Sequence, residues 1–403
     1  MRLKRKTLTG TPGSPYREGM AAILGIGTAV PGTSLPQEAV RDLFASQPGV
    51  SRLTARLIHA AFDHSAIEKR HSALTDFGGA PSGFLDAETG LLGRPTTAER
   101  NAIYAREAPG LFARAAQDAL DAAGVEASEI THVVTASCTG FFAPGPEYRL
   151  VRDLGIRSTA PRDHLGFLGC AAAFPALRTA FRISSLDPDA VVLVVCGELC
   201  TLHIAPSSDT DQILASAVFA DGAGAAIVSG RSDPQTPTGV TLELDGFSTA
   251  LTSEGDEDMR WIIGDHGFEM TLTTEVPRII EREVAGALAS VISGRDIRRW
   301  IVHPGGRSIL DRFETAMQLP PAALDHSRAV LRDFGNMSSA TVLFILKRLM
   351  TDPTLVEGEE VLGVAFGPGL TVETALMRAR TAAFRAVEAD AVRGSGIRVK
   401  AGA

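Results

Sequence analysis

Three short stretches of this 403-residue chain carry residue types suited to nucleophilic and oxyanion chemistry. In HLGFLGCAAAFPALRTAFRI (164–183), an apolar approach reaches Gly169-Cys170, then small residues, then a helical run. A cysteine at the start of a helix stands near free backbone N–H groups, which favour its thiolate. The small neighbours leave room for a substrate. In WIVHPGGRSILD (300–311), His303 ends an apolar strand at a proline and two glycines. There it can pair with a thiolate or donate to a developing oxyanion. In DFGNMSSATVLFILKRL (333–349), Asn336 lies in a small-residue turn before a helix, where its amide can cap the helix or donate to a carbonyl. Taken singly, each also has a plain reading: a buried structural cysteine, a satisfied histidine, a helix cap.

The elements that must position these residues are readable from apolar periodicity. AAILGIGTAV predicts a strand ending at Pro31. THVVTASC and AVVLVVCGEL predict buried strands, and VFADGAGAAIVSG (218–230) a glycine-rich turn followed by a strand. ERNAIYAREAPGLFARAAQDALDAAGV has helical spacing despite Pro109 and stops at Gly124. From about residue 240 the rhythm resumes. VTLELDGFSTAL is a strand, EVPRIIEREVAGALASVI a helix and RRWIVHPGG a strand. SSATVLFILKRLM is an amphipathic helix, and EEVLGVAFGPGLTVETALMRAR a strand–turn–strand. Strands alternating with helices in both halves predict α/β layers. No short repeat is visible, and the sequence does not establish a duplication.

Composition bounds the rest. The chain is 45% hydrophobic and 21% charged, which supports a sizeable core. A net charge of −8 gives no general attraction to nucleic acid or anionic membranes. Cys138, Cys170, Cys196 and Cys200 form no CxxC pair, so a reduced setting is expected, with no metal-ligand cluster. The start, MRLKRKTLTGTPGSPYREG, lacks the apolar core of a signal peptide, and no run reaches membrane-spanning length. A cytoplasmic protein without membrane insertion is expected. Residues 1–20 and 386–403 read as loose tails around an N-terminal half, 21–239, and a C-terminal half, 240–385.

In combination the motifs are specific. GCAAAF, FADGAGAAIV, WIVHPGGRSILD, DFGNMSSATVLFIL and AFGPGL, in this order, resemble the chalcone-synthase-like type III polyketide synthases from about residue 22 to 380. The resemblance implies a thiolase-like, five-layered αβαβα fold of two similar halves, acting as a homodimer. It implies that Cys170 is the nucleophile, with His303 and Asn336 as partners. A starter moves from an acyl-CoA to Cys170, with His303 as imidazolium stabilising the thiolate. Malonyl-CoA then loses CO₂, and its enolate oxygen takes hydrogen bonds from His303 and Asn336. The CoA thioesters are substrates, and no cofactor or metal is expected.

Further positions follow from the same resemblance. Phe219 matches an aromatic gate. Cys138, Glu198 and Ser338 match a hydrogen-bond network that steers ring closure, although cysteine is a weak donor. Cys200, His203 and Trp261 match cavity walls, and Met270 stands where plant relatives have a second gating Phe. Ala365 replaces the first glycine of the usual GFGPG. The basic residues expected before Ser65-Ala66-Ile67-Glu68-Lys69-Arg70 fall on Leu57, Ala60 and His64, so Arg56, His64 or Arg307 would have to hold CoA. The loop 141–145 would lie at the dimer interface, with a cis Ala143-Pro144 peptide and with Ala143 leaving extra space.

The stretches DMRWIIGDHGFEM (258–270) and ELCTLH (198–203) resemble bacterial alkylresorcinol and alkylpyrone synthases, which prefer medium or long fatty acyl starters. Alternatives are a malonyl-primed tetrahydroxynaphthalene synthase, a ketoacyl-ACP synthase III-like enzyme and a catalytically silent assembly partner. Thiolase is disfavoured because no cysteine follows position 200.

Overall fold

The computed structural model describes residues 21–76, 83–86, 88–231 and 239–381. The tails expected at 1–20 and 386–403 lie outside the described residues. The first half contains β1 (Ala22–Ala29), β2 (Thr33–Pro36), α1 (Gln37–Ala45), α2 (Arg52–Asp63), β3 (Lys69–Ser72), α3 (Thr97–Ala123) and β4 (His132–Ser137). It continues with α4 (Pro146–Asp153), β5 (Arg162–Gly166), α5 (Ala173–Leu186), β6 (Val191–Leu199), α6 (Thr210–Val218) and β7 (Asp221–Ser229). The second contains β8 (Thr241–Leu251), β9 (Met259–Gly264), β10 (Gly267–Leu272), α7 (Val276–Ile292) and β11 (Arg299–Val302). It ends with α8 (Arg307–Met317), α9 (Asp325–Phe334), α10 (Thr341–Met350), β12 (Glu360–Gly367) and β13 (Thr371–Arg380).

Helix α3 shows how local sequence builds the frame. Thr96 and Glu99 form a reciprocal capping box at its start, and Gly124 ends it at φ 64°. Pro109 lies inside the helix without ending it. Its buried face, with Tyr104, Ala108, Phe112, Ala115, Ala116, Ala119 and Ala123, is rich in alanine. That lets α3 approach β1 closely: a Cβ on Gly27 would sit 2.2 Å from the Ala115 carbonyl oxygen.

The main sheet runs β11-β12-β13-β8-β1-β7-β6-β4-β5. At its middle, β1 meets β8 through only two residue pairs, Ala22–Glu243 and Ile23–Leu242. On either side of this seam the pairing repeats. β4 is parallel to β6, and β6 and β7 are successively antiparallel to β7 and β1. Correspondingly β11 is parallel to β12, and β12 and β13 are successively antiparallel to β13 and β8. The duplication hidden in the sequence is therefore plain in the topology. It pairs α5, which leads into β6, with α10, which leads into β12.

Three cores define five layers. Helix α3 packs on one face of the first half-sheet through Phe112, Leu193 and Val195. Helices α5 and α10 fill the centre, where Phe174, Leu343 and Leu346 meet Val192 and Val194 from one half-sheet and Ala375 and Met377 from the other. Helices α7 and α8 cover the outer face of the second half-sheet through Val284, Phe313 and Leu362. This is the thiolase-like αβαβα arrangement. It also corrects one expectation. Helix α10 is not half solvated: residues 341–346 and Leu349 are all buried, because both half-sheets press on it. Among the described residues, no helix is long and apolar enough to cross a membrane.

Candidate active site

Strand β5 is an exposed edge strand paired only with β4. Beyond it, Phe167 and Gly169 both take left-handed backbone angles, φ 64° and 62°. For a bulky residue such as Phe167 this costs about 1–2 kcal/mol. The step turns Cys170 into the 3₁₀ segment Gly169–Ala171 that leads into α5. Glycine is required at 169 for a second reason: a Cβ there would lie 2.5 Å from Pro368 Cδ. The Gly169 N–H donates to Cys138 Sγ at 3.1 Å, tying the turn to the end of β4.

From the other half, Asn336 stands before α10 as Cys170 stands before α5. Its backbone N–H donates to the Val218 carbonyl at 2.9 Å, and its own carbonyl accepts from the Ala220 N–H at 2.8 Å, so Asn336 brackets Phe219. The side-chain Oδ1 accepts from the Ser338 N–H at 2.8 Å, and Nδ2 donates to the Gly305 carbonyl at 3.3 Å. These two bonds fix the amide orientation: it serves as a turn cap and keeps a second N–H free. Oδ1 lies 4.0 Å from Cys170 Sγ.

His303 follows β11, its backbone N–H bonded to the Val364 carbonyl at 2.9 Å. The ring is 1% exposed, and neither Nδ1 nor Nε2 meets a hydrogen-bond partner among the described residues. Leaving such a group unpaired costs about 1–3 kcal/mol. Burial pushes the His303 imidazole down, to about 3. Burial also pushes the Cys170 thiol up, to about 11, opposed first by a hydrogen bond with the Ser338 side chain. An isolated charge on either group is disfavoured. Burial alone therefore opposes the thiolate–imidazolium pair expected from sequence, so the two charges are stable only where each offsets the other. Charge enters as a pair when the proton crosses.

Cys170, His303 and Asn336 line one cavity of about 220 Å³. Phe219, Cys138, Cys200, His203, Trp261, Met270 and Ser338 line it too. Phe219 packs with Cys200 and Ala215, against Cys170 and Met270. His203 is held from both sides: Nε2 bonds the Thr139 carbonyl at 2.7 Å, and Nδ1 accepts from the Phe268 N–H at 3.2 Å. Burial pushes it down to about 4, so the ring is neutral. Its ring stacks on Phe268 at 4.0 Å, which stacks on Trp261 at 4.8 Å, which meets Phe167 at 5.2 Å.

Some expectations need correction, and others concern groups outside this cavity. Glu198 does not reach the cavity wall. It is fully buried beneath it, and accepts from Ser339 Oγ at 2.6 Å, Thr139 Oγ1 at 2.8 Å and the Cys138 N–H at 2.9 Å. Ser339 therefore fills the place expected of Ser338, whose φ of 48° turns it toward the thiol side. Cys138 joins this network through its backbone, not its sulfur. The Ala143-Pro144 peptide is cis, and Ala143, expected to face a neighbouring subunit's cavity, does not line the cavity of its own chain. Ala365 lies within β12, not in the turn. Arg56, His64 and Arg307 are exposed and line no part of the cavity. Arg307 is engaged with Asp311 at 3.3 Å.

Sequence reasoning gave no role to Arg70 or Phe268. Arg70 is wholly buried and donates to the carbonyls of Ser216, Ala217 and Phe219 at 2.6, 3.0 and 2.8 Å and to Gln37. It thereby clamps the end of α6 and the Phe219 backbone. Phe268 was detectable only as the residue two before Met270, on the same face of a short strand.

Comparison with known proteins agrees with this geometry. Residues 13–234 match the N-terminal domain of chalcone and stilbene synthases, and residues 245–381 match the C-terminal domain. The C-terminal type III polyketide synthase domain of Steely1, a type I/III hybrid from Dictyostelium, is 25% identical with a TM-score of 0.80. That match covers 89% of this chain and 99% of the domain. PKS-I from the brown alga Ectocarpus siliculosus is 27% identical with a TM-score of 0.83, covering 91% of this chain and 100% of the alga's. The chain belongs to the chalcone and stilbene synthase family and is a type III polyketide synthase.

Proposed function

We propose that the enzyme loads an acyl-CoA starter on Cys170, extends it with malonyl-CoA and cyclises the product to an alkylresorcinol or alkylpyrone. The observation that carries this is the buried His303, both ring nitrogens unpaired, sharing a cavity with Cys170 and Asn336. An unbonded imidazole and a spare amide N–H beside a thiol suit a substrate oxygen that arrives with charge.

Loading begins as His303 takes the Cys170 proton while sulfur attacks the thioester carbonyl. The C–S bond to CoA breaks, and the proton returns to the departing CoA sulfur. Malonyl-CoA then loses its carboxylate as CO₂, and the electron pair left behind forms an enolate. Its oxygen accepts hydrogen bonds from His303 and Asn336 Nδ2. The enolate carbon bonds to the acyl carbonyl carbon, and Cys170 leaves as thiolate. Phe219, held by Arg70 and bracketed by Asn336, limits passage toward the thiol.

The apolar wall of Cys200, Ala215, Met270, Met259 and Leu272 suits a starter of eight carbons or more. We also propose a homodimer formed through the loop 141–145, where Phe141 is 47% exposed in the single chain. CoA would be held at the surface by Arg56, His64 or Arg307. The direct test is decarboxylation of malonyl-CoA by the purified protein. Release of CO₂ that depends on Asn336 supports the enzyme; none at all indicates a silent assembly partner.

A further inference from the structure

The cavity is apolar near Phe219 but not throughout. Among the described residues, its cationic wall groups are Arg94 and Arg100, and its one carboxylate is Glu269. Arg100 is 1% exposed. Its Nε donates to the Pro95 carbonyl at 3.0 Å, and Nη1 to the carbonyls of Leu202 and Ile204; Nη2 is bonded by no described group. Arg94 is exposed and makes no ion pair with a described residue. The two charges act on each other: burial and then Arg94 push Arg100 down, to about 10. Two guanidiniums on one cavity wall, neither in an ion pair with a described residue although Glu99 adjoins Arg100 and Glu269 shares the wall, suit a planar anion, which Arg binds through paired N–H groups.

A continuous wall connects them to the thiol. Gly169, next to Cys170, is bonded to Cys138; Thr139 follows and holds His203; and a Cβ on Gly267 would touch both His203 and Arg100. We propose that Arg94 and Arg100 form a recognition subsite for a carboxylate at the far end of the acyl group, so that the enzyme prefers a starter that is the monothioester of a dicarboxylic acid. This rests on Cys170 being the acylated residue. The acyl chain follows the Cys138–His203 wall and presents its free carboxylate to the two arginines.

The test compares decanoyl-CoA with the mono-CoA thioester of decanedioic acid, with malonyl-CoA as extender, in wild type, Arg94→Gln and Glu269→Gln. The expected result is a preference of at least tenfold in kcat/KM for the diacid starter. Arg94→Gln should bring that ratio close to one, and Glu269→Gln, which removes the repelling carboxylate, should raise it. Equal use of both starters by the wild type overturns the subsite, as does a ratio unmoved by Arg94→Gln. Free CoA is titrated alongside: if Arg94→Gln weakens CoA binding instead, the arginines serve the CoA phosphates and the acyl subsite is wrong. If neither thioester acylates Cys170, the reading of the enzyme itself fails, a separate outcome.

Discussion

Cys170 Sγ lies 4.0 Å from Asn336 Oδ1, across the meeting point of the two helices that correspond in the two halves. Each residue stands just before its helix, Cys170 before α5 and Asn336 before α10, and His303 comes from the end of the strand equivalent to β4. The site thus draws its cysteine from the first half and its histidine and asparagine from the second.

The division of labour between the partners predicts separable defects. Asn336→Ala removes an enolate donor and should slow malonyl-CoA decarboxylation by about 10²–10³ while starter loading is largely retained. His303→Gln removes the proton acceptor as well and should slow both steps. Single-turnover assays of loading and of CO₂ release distinguish them. An Asn336→Ala enzyme that decarboxylates at the wild-type rate contradicts the role assigned to its amide.

The pH dependence of thiol reactivity follows from the two buried groups. Burial pushes the Cys170 thiol up, to about 11, and only a cation opposite it can bring the thiolate into the neutral range. In His303→Gln that cation cannot form. The rate of Cys170 alkylation by iodoacetamide should then keep rising, by roughly tenfold per pH unit, through pH 9. The wild type should level off at lower pH, because thiolate and imidazolium form together. Identical profiles in the two proteins would separate His303 from the thiol.

On the proposed function, the wall behind the thiol sets starter length. Each methylene buried there contributes about 0.8 kcal/mol, roughly fourfold in kcat/KM, until the passage ends. Cys200 packs on Ala215 and Phe219 at this wall, so Cys200→Phe should fill the passage and move the optimum toward shorter acyl-CoAs. Measuring kcat/KM across an even-numbered ladder from acetyl- to dodecanoyl-CoA shows the shift. Equal values for acetyl- and dodecanoyl-CoA in the wild type would favour malonyl priming.

Much of this was legible in the sequence because it depends on local rules. The short, valine-rich apolar run at 191–195 favours a strand buried on both faces, and Thr96, Glu99 and Gly124 mark the ends of α3. Cys170, His303 and Asn336 were ambiguous singly and became recognisable only through the order of their motifs and the family resemblance it carries. What stayed hidden depends on tertiary placement. The duplication lives in strand pairing, which tolerates unrelated side chains. Ser339, not Ser338, reaches Glu198 because one left-handed residue rotates the turn. Arg70 was given no role from sequence, because its guanidinium is satisfied by carbonyls more than a hundred residues away. Arg94 and Arg100 carried no motif, and only the folded wall brings them to the same cavity as the thiol.

The central claim is that Cys170 carries the growing chain. Mixing the enzyme with an acyl-CoA alone, then quenching in acid, digesting and sequencing by mass spectrometry, tests it directly. The acyl mass should appear on the peptide containing Cys170, should be absent from Cys170→Ala, and should persist in Cys196→Ala and Cys200→Ala. Acylation at another residue, or polyketide product from the Cys170→Ala enzyme, would contradict the mechanism.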